Sequence, residues 1–213
     1  MSYSLTEPQI KEIFKFWNIN DLNINNKIIK IFENVRDIPY GNINSRSPYD
    51  VFKNNMGTCS GKHFLARDLF NYIGIKTKDM ICLQRWKDLT WFENESYKII
   101  EFAEPLKDFL YQYEIIDFHN YLMIMNNNRW IQVDLTLDSK LSSLGFKIQE
   151  SWDGNSDIPM CFVTTNKIWE CGNFGAEKKA ELVSKLPDDI SKNRKMFLKA
   201  FTKWLDDFRN NKL

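Results

Sequence analysis

Apolar residues recur at helical spacing over the first third of the chain and at strand spacing beyond it. Ile10, Ile13, Phe14 and Trp17 fall at i, i+3, i+4 and i+7, and Thr6 and Gln9 flank Pro8 as a capping box, so a first amphipathic helix is predicted there. Ile24, Ile28, Ile31, Phe32 and Val35 form a second stripe, with Asp21 as its cap and the turn signal IPYG at 38–41 as its end. Ser47 and Pro48 start a short helical turn through Phe52. In the next segment Phe64, Leu65, Leu69, Tyr72 and Ile73 supply one face of a helix that begins near Cys59 and stops at Gly74.

After Gly74 the pattern changes to short β-type runs at 80–83, 97–102, 118–125, 129–136 and 159–165, so the second half is expected to be largely sheet. Three asparagines at 126–128 separate two of these runs and read as a hairpin loop, since Asn tolerates positive φ. Ile190, Phe197, Leu198, Phe201, Trp204, Leu205 and Phe208 then give a wide apolar face on a final helix. No repeat or linker interrupts the chain, and 213 residues against about 150 per domain favour a single domain over 1–213. An α+β fold is predicted: a helical N-terminal half packed on an antiparallel sheet, closed by a C-terminal amphipathic helix.

Charge and composition narrow the function classes. With 29 Lys and Arg against 28 Asp and Glu the net charge is +1, which gives no overall field for nucleic acid or an acidic membrane. At 43% hydrophobic residues the chain can bury a sizeable core. Only two histidines, His63 and His119, are present, so neither a three-histidine zinc site nor an HExxH helix can form. Four cysteines in a chain that opens MSYSLTEPQI, without a basic or an apolar leader region, predict free thiols in the cytoplasm. No apolar run approaches the roughly 20 residues that cross a bilayer, so a soluble protein is expected.

A thiol at a helix N-terminus feels the positive end of the helix dipole, which lowers its pKa and populates the nucleophilic thiolate. Cys59 has that placement. The predicted hairpin offers it a base and an orienting acceptor in His119 and Asp134. Reflection about residue 127 carries 119 onto 135, one residue from Asp134, so a bulge or a small register offset brings the pair onto one face.

Three segments, FENVRDIPYGN, DVFKNNMGTCSGKHFLARDLFNYIGI and HNYLMIMNNNRWIQVDLT, together resemble the transglutaminase-like superfamily, whose core is papain-like. The resemblance covers roughly residues 28–136, leaving 137–213 as C-terminal strands and helices. It implies a nucleophilic Cys59, a general base and acid in His119, and in Asp134 the acceptor that fixes the imidazole tautomer. It further implies thiol-dependent hydrolysis or acyl transfer at an amide or peptide bond through a thioester, with water or an amine as acceptor and no cofactor or metal. The backbone N–H of Cys59 is one expected oxyanion donor; the second is unassigned, with Tyr40 or an upstream asparagine such as Asn55 as candidates. Tyr121 stands where the family often has tryptophan, and His63 where a small residue is common. A peptide or small amide is the expected partner, with the oligomeric state open. The alternative is a non-catalytic peptide-binding module on the same fold.

Other chemically capable residues have simpler readings. Cys82, Cys161 and Cys171 lie in or beside apolar runs and are expected in the core. His63 follows Cys59 by four residues, on the same helical face, and is expected to line or abut the cleft. It is the competitor to His119, since it could pair with Cys59 or, together with Cys59, start a zinc site with Cys82 or Asp134. Trp86 and Trp91, in a polar stretch, are candidates for a substrate wall, whereas Phe197, Phe201, Trp204 and Phe208 read as core.

Overall fold

The computed structural model describes residues 4–86, 102–104, 106–146, 148–161 and 167–211. Four helices come first: α1 (Glu7–Phe16), α2 (Ile24–Arg36), α3 (Pro48–Asn54) and α4 (Cys59–Tyr72). In α1 the Thr6 N–H donates to Gln9 Oε1 at 2.8 Å, and Ile10, Ile13 and Phe14 are buried as the stripe predicts. The cap of α2 is Asn23 rather than Asp21. Asn23 Oδ1 accepts from the Asn26 N–H at 3.0 Å, which fixes the helix start two residues later than a cap at Asp21 would. Ile24 is consequently the first helical residue and 47% exposed, so the buried stripe begins at Ile28.

IPYG is not a turn. The Gly41 N–H donates to the Gly57 carbonyl and the Gly57 N–H to the Pro39 carbonyl, each at 3.1 Å, so Tyr40 and Gly57 form a parallel bridge. This contact lays the chain after α2 beside the residues that lead into α4.

The remaining elements are β1 (Thr77–Arg85), α5 (Leu106–Gln112), β2 (Ile116–Asn126), β3 (Arg129–Val133), a 3-10 helix over Ser139–Leu144, β4 (Ile168–Gly172), α6 (Gly175–Ser184) and α7 (Asp188–Arg209). The four strands form one antiparallel sheet in the order β3-β2-β1-β4. Three of these elements, α5, β4 and α6, are short and lack a clean periodic stripe, and the sequence pattern does not predict them. The second half is therefore less β-rich than expected. Of the strand expected at 97–102 only Phe102 is described, and it is not in a strand; 159–161 are likewise irregular, and 162–165 lie outside the described residues.

Two apolar clusters fill the space between the layers. In the first, Ile13, Phe14, Ile31, Phe32, Leu65 and Leu69 of α1, α2 and α4 pack on Leu122, Ile124, Ile131 and Val133 of the β2–β3 hairpin. In the second, Phe197, Phe201 and Leu205 of α7 pack with Trp86, Phe102, Leu106 and Leu110. Burial of each such side chain contributes about 1.5–3 kcal/mol. Trp86 belongs here. Its indole is 1% exposed, with ring centroids 4.7 Å from Phe197 and 4.9 Å from Phe201, so it is core and not a substrate wall. Trp91 lies outside the described residues. None of the described helices is long and apolar enough to cross a membrane.

Candidate active site

Cys59 is the first residue of α4, after an extended Thr58. Its thiol is almost fully buried, with Lys179 of α6 donating to Sγ at 3.3 Å and His119 of β2 hydrogen-bonded to the same sulfur. Burial works against the charged thiolate. The Lys179 ammonium and His119 outweigh it and hold the Cys59 pKa at about 6. For His119 burial also opposes charge, but the Asp134 carboxylate and the Cys59 hydrogen bond lift its pKa well above the ordinary histidine value. Both shifts favour the charged forms, thiolate on sulfur and imidazolium on His119.

Asp134 is buried and saturated with donors. Oδ2 accepts from His119 Nε2 at 2.9 Å and from the Cys161 backbone N–H at 2.8 Å, while Oδ1 accepts from the Thr136 N–H at 3.0 Å and the Thr136 hydroxyl at 2.6 Å. Burial would raise its pKa, yet His119 and these bonds hold it well below the usual carboxylate range. Because Nε2 faces Asp134, Nδ1 is the ring nitrogen left to serve Cys59.

The hairpin reaches this geometry by a route half a residue away from the expected one. Asn127 and Asn128 both have positive φ, 48° and 58°, and Asn126 pairs with Arg129, which is a two-residue turn and not a three-residue loop. The register centre falls between Asn127 and Asn128. Continued past its last pair, Leu122 with Val133, it sets Asp134 opposite Tyr121. Tyr121 lies two residues from His119 on β2, so imidazole and carboxylate are diagonal neighbours and no bulge is needed.

His63 is not at the cleft. Its ring is fully buried, with Nδ1 2.6 Å from the Cys59 carbonyl oxygen and Nε2 accepting from the Leu135 N–H at 2.9 Å. Those partners require the neutral Nδ1–H tautomer, and burial pushes its pKa down to about 4. His63 is a bolt between the first turn of α4 and the chain after β3. Both nitrogens bond backbone, with Asp134 Oδ1 3.5 Å from Nε2, so neither the direct Cys59–His63 pair nor the zinc site is formed. Among the described residues no group of three or more His, Cys, Asp or Glu side chains could hold a metal ion. Lys62 adds a second bolt, its ammonium donating to the carbonyls of Arg36, Ile38 and Thr136 at 2.7–2.9 Å.

A cavity of about 330 Å³ opens onto Cys59, lined by Tyr40, Arg46, Thr58, Asp117, Lys179 and Arg194 among others. Tyr40 thus faces the cleft, and burial, Cys59 and Asp117 push its hydroxyl well above the usual 10, keeping it protonated. Asn55 does not line the cleft. It is exposed and left-handed, φ 45°, as the C-cap of α3. Tyr121 does not line it either, being buried beside Met80 and Cys82. Cys82 and Cys161 are buried and Cys171 half-buried, all with free thiols.

Sequence reasoning missed Asp117, Lys179 and Arg194. Asp117 sits two residues before His119 on the same strand, a spacing that could have flagged it. It binds Arg194 of α7, with Nε at 2.8 Å and Nη2 at 2.6 Å. Lys179 carried no usable signal, because a Lys-Lys pair on a short helix reads as solvated charge. Its position is set by a buried chain of contacts. Arg67 of α4 bonds Asp79 of β1 at 2.9 Å, and Asp79 accepts from the N–H of Gly175, the first residue of α6, at 3.1 Å. One helical turn later Lys179 meets Cys59.

No family model and no curated protein matches the chain. Among solved structures it is similar to a candidate cysteine protease from Cytophaga hutchinsonii, at 16% identity and a TM-score of 0.41. The match covers 80% of this chain and 53% of that one, so the chain spans about half the length of that structure.

Proposed function

We propose that the protein is a thiol-dependent hydrolase or acyltransferase of the transglutaminase-like type, acting on an amide or peptide bond. The observation that carries this reading is the buried array in which Cys59 meets both Lys179 and His119 while His119 Nε2 is held by Asp134 at 2.9 Å. Its α+β setting, with the thiol at the start of a helix packed on an antiparallel sheet, is the one the resemblance implies. In this mechanism the Cys59 thiolate attacks the carbonyl carbon and the C=O electron pair moves to oxygen. His119 gives its proton to the departing amine as the C–N bond breaks. A thioester on Cys59 remains. Water or a primary amine attacks it, His119 takes the proton back, and the thiolate leaves. Asp134 stays ionised throughout and keeps the imidazole in one orientation.

The test is a screen of ester, amide and peptide acyl donors with Cys59→Ala as control, and mass spectrometry of the quenched enzyme. Turnover that needs Cys59, with an acyl mass on the peptide containing it, is expected. Selective peptide binding without Cys59-dependent turnover would favour the non-catalytic module.

A further inference from the structure

Acyl transfer needs two donors for the oxygen that becomes negative, and the Cys59 backbone N–H accounts for one. The geometry points to the second: we propose that Lys179 is a catalytic residue, whose ammonium neutralises the resting Cys59 thiolate and then donates to the oxyanion of the tetrahedral intermediate. This rests on the reading of Cys59 as an acyl-transfer nucleophile.

Three observations lead there. Lys179 is 3% exposed, yet Nζ bonds Sγ at 3.3 Å and makes no other hydrogen bond or ion pair among the described residues. An ammonium has three N–H donors and Sγ takes one, so two remain to bind an oxygen in the cleft that Lys179 lines. The second observation concerns charge. When the C–S bond forms, the negative charge leaves sulfur and appears on an oxygen two bonds away, so the cation that served one can serve the other with little movement. The third is positional. The buried Arg67–Asp79–Gly175 contacts hold the start of α6, so the ammonium is preorganised and not drawn in from solvent. The carboxylate nearest this cation in the cleft, Asp117, is already engaged by Arg194. The proton of Lys179 stays on nitrogen throughout; the amine's proton comes from His119.

Two reactions of the same thiolate separate this role from a purely electrostatic or structural one. Iodoacetamide alkylation displaces iodide and builds no oxyanion, whereas acylation by 4-nitrophenyl acetate does. Both rates are measured for the full-length wild type and Lys179→Met, each divided by the thiolate fraction read from absorbance near 240 nm. Changes in thiolate basicity affect both reactions and largely cancel in their ratio. Loss of Lys179 should lower the acylation-to-alkylation ratio by about 100-fold, the low end for one oxyanion donor. An unchanged ratio, with Cys59-dependent acylation intact, would overturn the proposal and leave the proposed function standing. Absence of Cys59-dependent acylation in the wild type would instead overturn the function itself. A thermal melt checks folding, and Lys179→Ala carries the same comparison if the methionine variant does not fold.

Discussion

At the scale of single residues, two histidines that lie beside one cysteine in the fold have opposite duties, and burial with its partners decides which is which. His119 hydrogen-bonds the Asp134 carboxylate and the Cys59 thiol, which raise its pKa; His63 spends its hydrogen bonds on a backbone carbonyl and a backbone N–H, and burial lowers its pKa although Asp134 Oδ1 lies 3.5 Å from Nε2. Helical spacing marks His63 as a neighbour of Cys59 and the resemblance implies His119 as its base, but neither could show that His63 turns both nitrogens to the main chain. The difference has a pH signature. His63 has its pKa lowered from 6.5 to about 4, so the unfolded chain binds the proton first and stability is lost as pH falls through that window. The loss amounts to about 3 kcal/mol. His119 and Cys59 shift in opposite senses, and their contributions oppose one another at higher pH. His63→Gln should therefore flatten the slope of stability against pH between about 6.5 and 4, measured by urea unfolding at several pH values. It should also lower stability at neutral pH by about 1–3 kcal/mol, since backbone groups at Cys59 and Leu135 lose their partner.

Among elements, those with long stripes were legible and those fixed by tertiary contacts were not. α1, α4 and α7 follow from their apolar spacing, and the hairpin from its asparagines. The error of half a residue in the turn mattered, because side chains alternate along a strand and register alone decides whether Asp134 and His119 meet. α6 was invisible for a different reason: its ten residues bury Gly175, Ala176 and Lys179, which is no hydrophobic face. What seats it is Gly175, where an added Cβ would lie 2.8 Å from both Cβ and Oδ2 of Asp79. Gly175→Ala should destabilise the fold by about 1–3 kcal/mol through overpacking. It should also push the start of α6 off β1 and loosen Lys179 from Cys59, so the midpoint of thiol alkylation moves up from about 6. Denaturant unfolding and the alkylation profile check the two effects separately.

For the whole molecule, a net charge of +1 conceals an uneven distribution. Among the described residues, Arg46, Lys179 and Arg194 line the cavity against a single acid, Asp117, which Arg194 binds. The two arms of the chain meet there: the N-terminal half supplies the thiol and Arg46, and the C-terminal helices supply Lys179 and Arg194. An acyl donor with a carboxylate near the scissile bond should outperform its neutral amide by about tenfold in kcat/KM at low ionic strength. That advantage should shrink on raising salt to 1 M, where screening reaches about 3 Å.

A thiolate held by His119 makes one measurement decisive: the rate of iodoacetamide alkylation at Cys59 as a function of pH, in wild type, His119→Ala and His63→Gln. Wild type should label at Cys59 ahead of Cys82, Cys161 and Cys171, with a reactive thiolate persisting down to about pH 6. His63→Gln should keep that reactivity. In His119→Ala the midpoint should rise toward the ordinary thiol value of about 8.5, tempered by the remaining Lys179. A His119→Ala enzyme that keeps its midpoint near 6 while His63→Gln loses it would contradict the account.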